Sequence, residues 1–493
     1  MQLKVREVNI SSGGPLIAII SLNDANILDL KALDRIKIKK DRKEIVVAVD
    51  ISKGNRVKKG QIGLFEEVSK LLKLKNNSIV IVSVEPKPKS LQYIKKKLDG
   101  GRLNKTEVNE IVKDIVENRL TDIEITYFIS GCYVNGMSLY ESAYLTEAIV
   151  DNGKKLNLNK YPILDKHSIS GVPGNRTTMI IIPIVTAMGY IMPKTSTRSI
   201  TSVSGTADTF ETLAPVEHSV IDIRKIINKV GGCMVWGGAM ELASADDKLI
   251  KVEKTISLDP EGIMLASILA KKSSVGATHV ILDIPWGRGS KVETIKIAKR
   301  LRNKFEVLGK LLGMEIKTIF SDGRQPVGNG IGPALEARDV LLVLENKGPL
   351  DLKEKSVKMA SMLLSMVGVK NSYKKALGVL ESGLALKKMK EIIKAQNGNP
   401  NITSDKIKVG KFRYDVKAKT FGVVRGISNK NIVKIAKAAG APEDKGAGIY
   451  FNIKLNNKVK KNQILFSIFA ENKKRLQYAK QIYNNSKVIN IEK

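Results

Sequence analysis

The sequence predicts an α/β protein: a helical lobe and a mostly parallel α/β lobe, with β-rich domains at the two ends. Three observations carry this. Short β-branched runs fill the first and last stretches, helix-start boxes crowd the region around residues 104–141, and buried strand runs alternate with helical-period segments between. The expected blocks are an N-terminal β-rich domain (1–86), a helical lobe (87–158), a central α/β domain (159–405) and a C-terminal α+β domain (406–493). A chain of 493 residues with 43% hydrophobic content has room for three or four such cores.

In the first block, Leu3-x-Val5 and Ile45-x-Val47-x-Val49 alternate at period two, and Leu16–Ile20 and Ile79–Val82 are short apolar runs. Glu85-Pro86-Lys87-Pro88 then reads as a break. Asn104-x-x-Glu107, Thr121-x-x-Glu124 and Ser138-x-x-Glu141 have the form of capping boxes, and Val108, Ile111, Val112, Ile115 and Val116 share one helical face. Met234–Trp236 and His279–Ile284 are buried strands, and Ile263–Lys271 and Val292–Leu312 have helical spacing, so a mostly parallel sheet with flanking helices follows. Strand signals return at Thr420–Val424, Ile449–Ile453 and Ile464–Ile468. Val57-Lys58-Lys59-Gly60-Gln61-Ile62 is nearly repeated by Val459-Lys460-Lys461-Asn462-Gln463-Ile464, which reads as the same turn used twice.

The formal charge of +34 invites a nucleic-acid reading. Against it, the lysines are spread along the whole chain and aromatic content is 5%, thin for base stacking. A diffuse basic field suits small phosphorylated substrates. Cys132 and Cys233 are far apart in uncharged surroundings and read as buried thiols of a cytoplasmic protein. The first residues alternate like a strand, not a signal peptide, and no apolar run approaches a membrane span, so neither membrane nor nucleic acid is expected as a partner. Three histidines without paired His/Cys spacing give no zinc pattern.

Two stretches carry the chemistry. Asp165–Thr178 is a Gly-rich polar loop opening an apolar run, Met179 to Met188. Such a loop gathers backbone N–H groups and a helix dipole where an anion can sit. Lys166 and Arg176 add charge, Ser168, Thr177 and Thr178 add donors, and Gly171 and Gly174 allow close approach. Alone, it also reads as a structural strand-to-helix turn. The second stretch, Lys194–Asp208, holds eight hydroxyl residues with an Arg and a Lys before another helix start. Two such loops can close on one anion.

Lys166-His167-Ser168 with Gly171, then Ser196-x-Arg198, then Gly205-Thr206-x-Asp208, resemble the signature of the thymidine/pyrimidine nucleoside phosphorylases. The likeness runs from Asp165 to about Asn397, and Pro193–Ser202 with the extra N-terminal region most resembles the family's archaeal, nucleotide-using branch. It implies the nucleoside phosphorylase fold and, with no cofactor or metal, phosphorolysis of nucleoside 5′-monophosphates in archaeal nucleotide salvage. AMP and inorganic phosphate would give adenine and ribose 1,5-bisphosphate, with CMP and UMP as further substrates. By the same resemblance Lys166, Ser168, Thr178, Ser196 and Thr206 hold phosphate. Gly171, the stretch Thr197, Arg198, Ser199, Ile200, Thr201 and Ser202, and again Thr206, hold the nucleotide. Asp259 is implied as proton donor to the base; by its own position before Pro260 it also reads as a simple helix N-cap. Ser267 and Lys271, four apart on one helix, match substrate contacts. His167 matches a base-facing histidine, but a lone histidine is commonly structural and its part stays open. A homodimer or larger homo-oligomer is implied.

Pyrimidine enzymes carry a Tyr and an Arg upstream of this helix, and Ile250–Lys254 has neither. Instead Pro285–Lys291 offers a second strand-to-helix loop ending in Ser-Lys. Lys291 is the candidate contact for a 5′-phosphate, with Arg198 beside it, although an ordinary tight turn with exposed cations fits the stretch as well. The alternatives are a pyrimidine nucleoside phosphorylase, a magnesium-dependent phosphoribosyltransferase of related fold, and an RNA-binding protein.

Overall fold

The computed structural model describes residues 1–493 except Ser170, Ile200, Thr201, Glu241 and Leu242 and the side chains of Ala239 and Met240. The chain forms two compact units, 1–153 with 243–270, and 154–242 with 271–493.

The first unit begins with a closed six-stranded barrel of β1 (Gln2–Glu7), β2 (Ile17–Ser21), β3 (Arg35–Lys40), β4 (Lys43–Ser52), β5 (Gln61–Leu64) and β6 (Ile79–Glu85), in the order β1-β5-β2-β4-β3-β6. The period-two residues are its filling: Leu3, Val5, Ile36, Ile38, Val47, Val49, Val80 and Val82 are all buried. Helices Ser90–Leu98, Lys105–Val116, Asp122–Val134 and Leu139–Asp151 follow. The last three begin with complete capping boxes at Asn104/Glu107, Thr121/Glu124 and Ser138/Glu141. Each box satisfies two N–H groups that the helix itself leaves orphaned.

The helical core also takes in a segment the sequence placed with the central α/β block. Ala245, Leu249, Val252, Ile263 and Ala266 pack with Val108, Ile111 and Phe128. The physical reason is Ser244–Ile256, an amphipathic helix whose apolar stripe finds its complement among these helices. Lys248 fixes it there: its ammonium donates to Ile115 O (2.6 Å), Val116 O (3.1 Å) and Asn118 Oδ1 (2.5 Å), closing the end of the Lys105–Val116 helix.

The second unit holds β7 (Leu164–Ser168), β8 (Met192–Ser196), β9 (Gly232–Trp236), β10 (His279–Trp286) and β11 (Glu315–Asp322). All their pairings are parallel, in sheets β11-β10-β7 and β8-β9, with an Ile163–Ile191 bridge between them. Between β7 and β8 runs the helix Thr177–Ala187, buried from Thr177 to Thr186, which is why its sequence is apolar on every face. The C-terminal part folds as sheets β12-β15-β17-β13 and β16-β14-β18, from β12 (Gly330–Ile331), β13 (Phe412–Lys417), β14 (Gly422–Ile427), β15 (Gly448–Phe451), β16 (Lys458–Val459), β17 (Ile464–Ala470) and β18 (Ile489–Glu492). β12 comes from the strap after β11 and pairs with β15, binding that strap to the C-terminal sheet.

The repeated hexapeptide is one turn made twice. Lys58 N donates to Gln61 Oε1 (3.1 Å) and Lys460 N to Gln463 Oε1 (2.9 Å), with positive φ at Gly60 and Asn462 (79° and 67°). Both cysteines are buried free thiols, pushed up to about 12 by burial.

Candidate active site

The site residues of the second unit gather at the carboxyl ends of β7 and β10. In parallel sheets that edge is where loops leave the strands and ligands bind. β7 delivers Lys166, His167 and Ser168, with Ser168 opposite Asp283 of β10. Asp283 is fully buried and is the hub of this end. Its Oδ2 accepts from Ser168 Oγ (2.8 Å) and Asn175 Nδ2 (3.2 Å), its Oδ1 accepts from Ser321 Oγ (2.6 Å), and Lys355 Nζ lies 2.9 Å from Oδ2. Burial pushes this carboxyl up, but Lys355 and Lys166 outweigh burial and hold it below its ordinary range.

A second buried carboxylate stands three residues before Ser168. Asp165 Oδ1 accepts from Lys194 Nζ (3.3 Å) and its Oδ2 from Lys272 Nζ (2.5 Å). Lys194 also donates to Lys166 O (2.7 Å), tying β8 to β7. Burial raises Asp165 and the two lysines more than reverse it, leaving it ionised. The price falls on the cations: burial pushes Lys166 and Lys272 each down to about 7. Lys166 Nζ donates to Thr177 Oγ1 (2.8 Å). Burial, with Lys272, Lys194, Lys271 and Lys166 around it, holds the His167 imidazole well below its ordinary range, so it is neutral at pH 7.

Four lysines thus surround two aspartates within the protein interior, an excess of cationic groups of which Lys166 and Lys272 are only partly protonated near pH 7. Buried charge is costly unless paired, so this excess favours an anion, whose charge would in turn draw Lys166 and Lys272 to their protonated forms.

The two hydroxyl-rich loops meet. Arg176 donates to Glu336 Oε2 and to Ser204 O, and Thr209 Oγ1 donates to the same Glu336 oxygen (2.9 Å). One buried guanidinium therefore staples the first loop to the second. Gly174 (φ 73°) is wedged against the strap, where a Cβ would lie 2.2 Å from Val327 O, and Val327 N donates to Pro173 O (3.1 Å). In the second loop a Cβ on Gly205 would lie 2.4 Å from Thr197 O. Gly171 meets nothing within 4 Å.

The other expected residues fall as follows. Thr178 is buried in the first turn of its helix, Ser196 Oγ donates weakly to Val235 O (3.4 Å), and Thr206 and Thr197 are half-buried. Ser199 and Ser202 donate to carbonyls of their own loop, at Ser202 O and Ser204 O. Arg198 stacks on Trp236 (4.8 Å) and pairs with Glu211 (2.8 Å), Glu217 (3.1 Å) and Asp208 (3.4 Å), so it braces the loop through carboxylates. Ile200 and Thr201 lie outside the described residues. Lys291 is exposed on the loop after β10, the strand next to β7. The helix beyond it starts at Ile295 with Thr294 as cap, so this loop does not end at a helix N-terminus as the sequence suggested. Ser290 Oγ donates within the loop, to Gly287 O and Val292 O. Asp259 and Ser267 belong to the first unit. Asp259 is exposed, and the helix after it runs from Glu261, with Pro260 O accepting from Met264 N (2.9 Å), so the helix starts one residue later than the sequence implied. Lys271 is half-buried; its neighbour Lys272 is the fully buried one.

Sequence reasoning missed Asp283, Lys355, Lys272, Ser321 and the Glu336 staple. One signal was available: an aspartate inside the apolar run His279–Ile284 must be paired if that run is a buried strand.

Solved structures share the fold of this chain. Anthranilate phosphoribosyltransferase (TrpD) from Thermus thermophilus aligns with a TM-score of 0.53 at 16% identity, over 62% of this chain and 99% of that one. Residues 91–153 match the glycosyl transferase family, helical bundle domain, residues 160–259 the a/b domain of the same family, and residues 423–490 the pyrimidine nucleoside phosphorylase C-terminal domain. The class is therefore a pentosyl-transferring glycosyltransferase with a phosphorylase C-terminal domain. AMP phosphorylases from Thermococcus sibiricus (44% identity, 97% of this chain, 95% of that one) and Thermococcus kodakarensis (44%, 100% and 98%) match it end to end, as does AMP phosphorylase 1 from Archaeoglobus fulgidus (41%, 97% and 95%). The chain belongs to the AMP phosphorylase family.

Proposed function

We infer that the protein catalyses phosphorolysis of nucleoside 5′-monophosphates, converting AMP and inorganic phosphate into adenine and ribose 1,5-bisphosphate, with CMP and UMP as further substrates. The observation that carries the reading at the level of chemistry is the excess of four buried lysines over two aspartates at the β7 edge, flanked by two stapled hydroxyl loops. Full-length relatives of that name support the substrate.

A phosphate oxygen attacks C1′ of the ribose as the bond to the base breaks, and the bonding electrons leave on the base, which takes up one proton. Lys166, Ser168, Thr178, Ser196 and Thr206 hold the phosphate. Ser168 has first to turn its proton from Asp283 toward the anion. Gly171, the 197–202 stretch, Thr206, Ser267 and Lys291 hold the nucleotide, Lys291 at the 5′-phosphate. Asp259 protonates the departing base. The enzyme works as a homo-oligomer in the cytoplasm, without cofactor or metal.

The test is adenine release from AMP with and without phosphate, followed by chromatography. Release should require phosphate, adenosine and uridine should be poor substrates, and Lys291→Ala should erase the preference for AMP over adenosine. Asp259→Asn should lose about 10²–10⁴-fold in kcat, the usual worth of a positioned proton donor. Phosphate-independent release, or a wild-type enzyme that prefers uridine to AMP, overturns the reading.

A further inference from the structure

We propose that Lys355, on the helix Leu350–Met366, is a direct ligand of the attacking phosphate, held in place by Asp283. The inference rests on the phosphate site placed above at the end of β7.

Four observations converge. Lys355 enters the site from a helix remote in sequence, and its side chain is only 12% exposed. Its Nζ sits 2.9 Å from Asp283 Oδ2, the oxygen that also takes the hydroxyl of Ser168, so one atom gathers a phosphate-loop hydroxyl and a distant ammonium. Asp283 does not need Lys355 as a donor, since Ser168, Asn175 and Ser321 already donate to it. Finally, the ammonium is sealed from solvent and, beyond its 2.9 Å contact with Asp283, finds no other acceptor among the described residues, so most of its N–H groups remain for one.

A lysine that only neutralised Asp283 would gain most from aiming its N–H groups at it. One with donors to give, beside Ser168 and near Lys166, is placed to add charge-assisted hydrogen bonds to a phosphate oxygen. Asp283 would then have two parts: it orients Ser168 and stops the two ammonium groups repelling each other before phosphate enters.

The test uses the full-length enzyme with inorganic phosphate as probe, comparing Lys355→Met with wild type by titration calorimetry and steady-state kinetics. The phosphate Kd and KM should weaken at least tenfold, while KM for AMP changes less than twofold. A merely structural lysine would lower thermal stability and leave the phosphate constants within twofold, and that result overturns the proposal. If Lys355→Met fails to fold, the double variant Lys355→Met/Asp283→Asn removes both buried charges, and wild-type phosphate affinity in it overturns the proposal equally. Lys166→Met separates the two levels: if it too leaves phosphate binding unchanged, the phosphate site itself is misplaced; if it alone weakens binding, only the part given to Lys355 fails.

Discussion

Asp339 offers a sharp test of how the first loop is held. The strap that wedges Gly174 is anchored by this carboxyl at two points, because Asp339 Oδ2 accepts from both Asn329 N and Gly330 N at 2.6 Å. Its other oxygen is buried without a partner among the described residues, and burial pushes the group up from an ordinary 3.8 to about 6. The folded protein therefore takes up a proton at higher pH than the unfolded chain. Between about pH 4 and 6 the native state binds more protons, so the contribution of this group to stability falls as pH rises through that window, then stays constant. At about 1.4 kcal/mol per pKa unit, the whole loss is about 3 kcal/mol, of which about 2 kcal/mol falls above pH 4.5. In Asp339→Asn the acceptor for both N–H groups can be kept and the slope cannot. Urea unfolding at constant ionic strength, at pH 4.5, 5.5, 6.5 and 7.5, should show the wild type losing about 2 kcal/mol relative to Asp339→Asn across the series. Trp236 and Trp286, the chain's two tryptophans, both report on the second unit. A difference that is flat with pH, or that grows in favour of wild type, refutes the reasoning.

Breaking the staple with Arg176→Met leaves Glu336 buried without its cation; a cost of about 3–5 kcal/mol is expected in calorimetry, with much of it recovered in Arg176→Met/Glu336→Gln. Gly171→Ala should fold as wild type, having open space around it, so any fall in kcat/KM would mark close approach of substrate; Gly174→Ala should destabilise the protein by overlap with Val327 O. Lys166, held at about 7 against 10.5 in the unfolded chain, makes stability rise with pH above 7, since the unfolded state then binds the extra proton; Lys166→Met should flatten that rise between pH 7 and 8.5 in urea titrations.

What the sequence revealed and what it hid divide along range. Capping boxes at 104–107, 121–124 and 138–141 and the doubled Lys-Lys-x-Gln turn are legible because donor and acceptor lie three residues apart. Parallel strands were legible because burial on both faces leaves continuous apolar runs such as 279–284. The electrostatics were not. Lys272 finds Asp165 across 107 residues and Lys355 finds Asp283 from another helix, and nothing local distinguishes Lys272 from Lys271 beside it. The packing of the helix 244–256 among the helices of the first unit was hidden for the same reason: its stripe says that it packs, not against what. The partners of Arg198 were hidden likewise: Glu217 lies in a loop, and Asp208 and Glu211 sit in and at the end of a five-residue helix too short for a periodic signal.

The wedge at Gly174 has a consequence for the order in which the protein becomes competent during synthesis. The loop that carries Lys166 and Ser168 leaves the ribosome early, but Val327, Glu336 and the sheet partner Phe451, whose N–H holds Asn329 O at 2.8 Å, arrive hundreds of residues later. A nascent chain stopped before about residue 327 has the whole signature and none of these braces. On the proposed reading such a chain has no formed phosphate site, and a graft of the motif alone onto another scaffold would inherit the same emptiness.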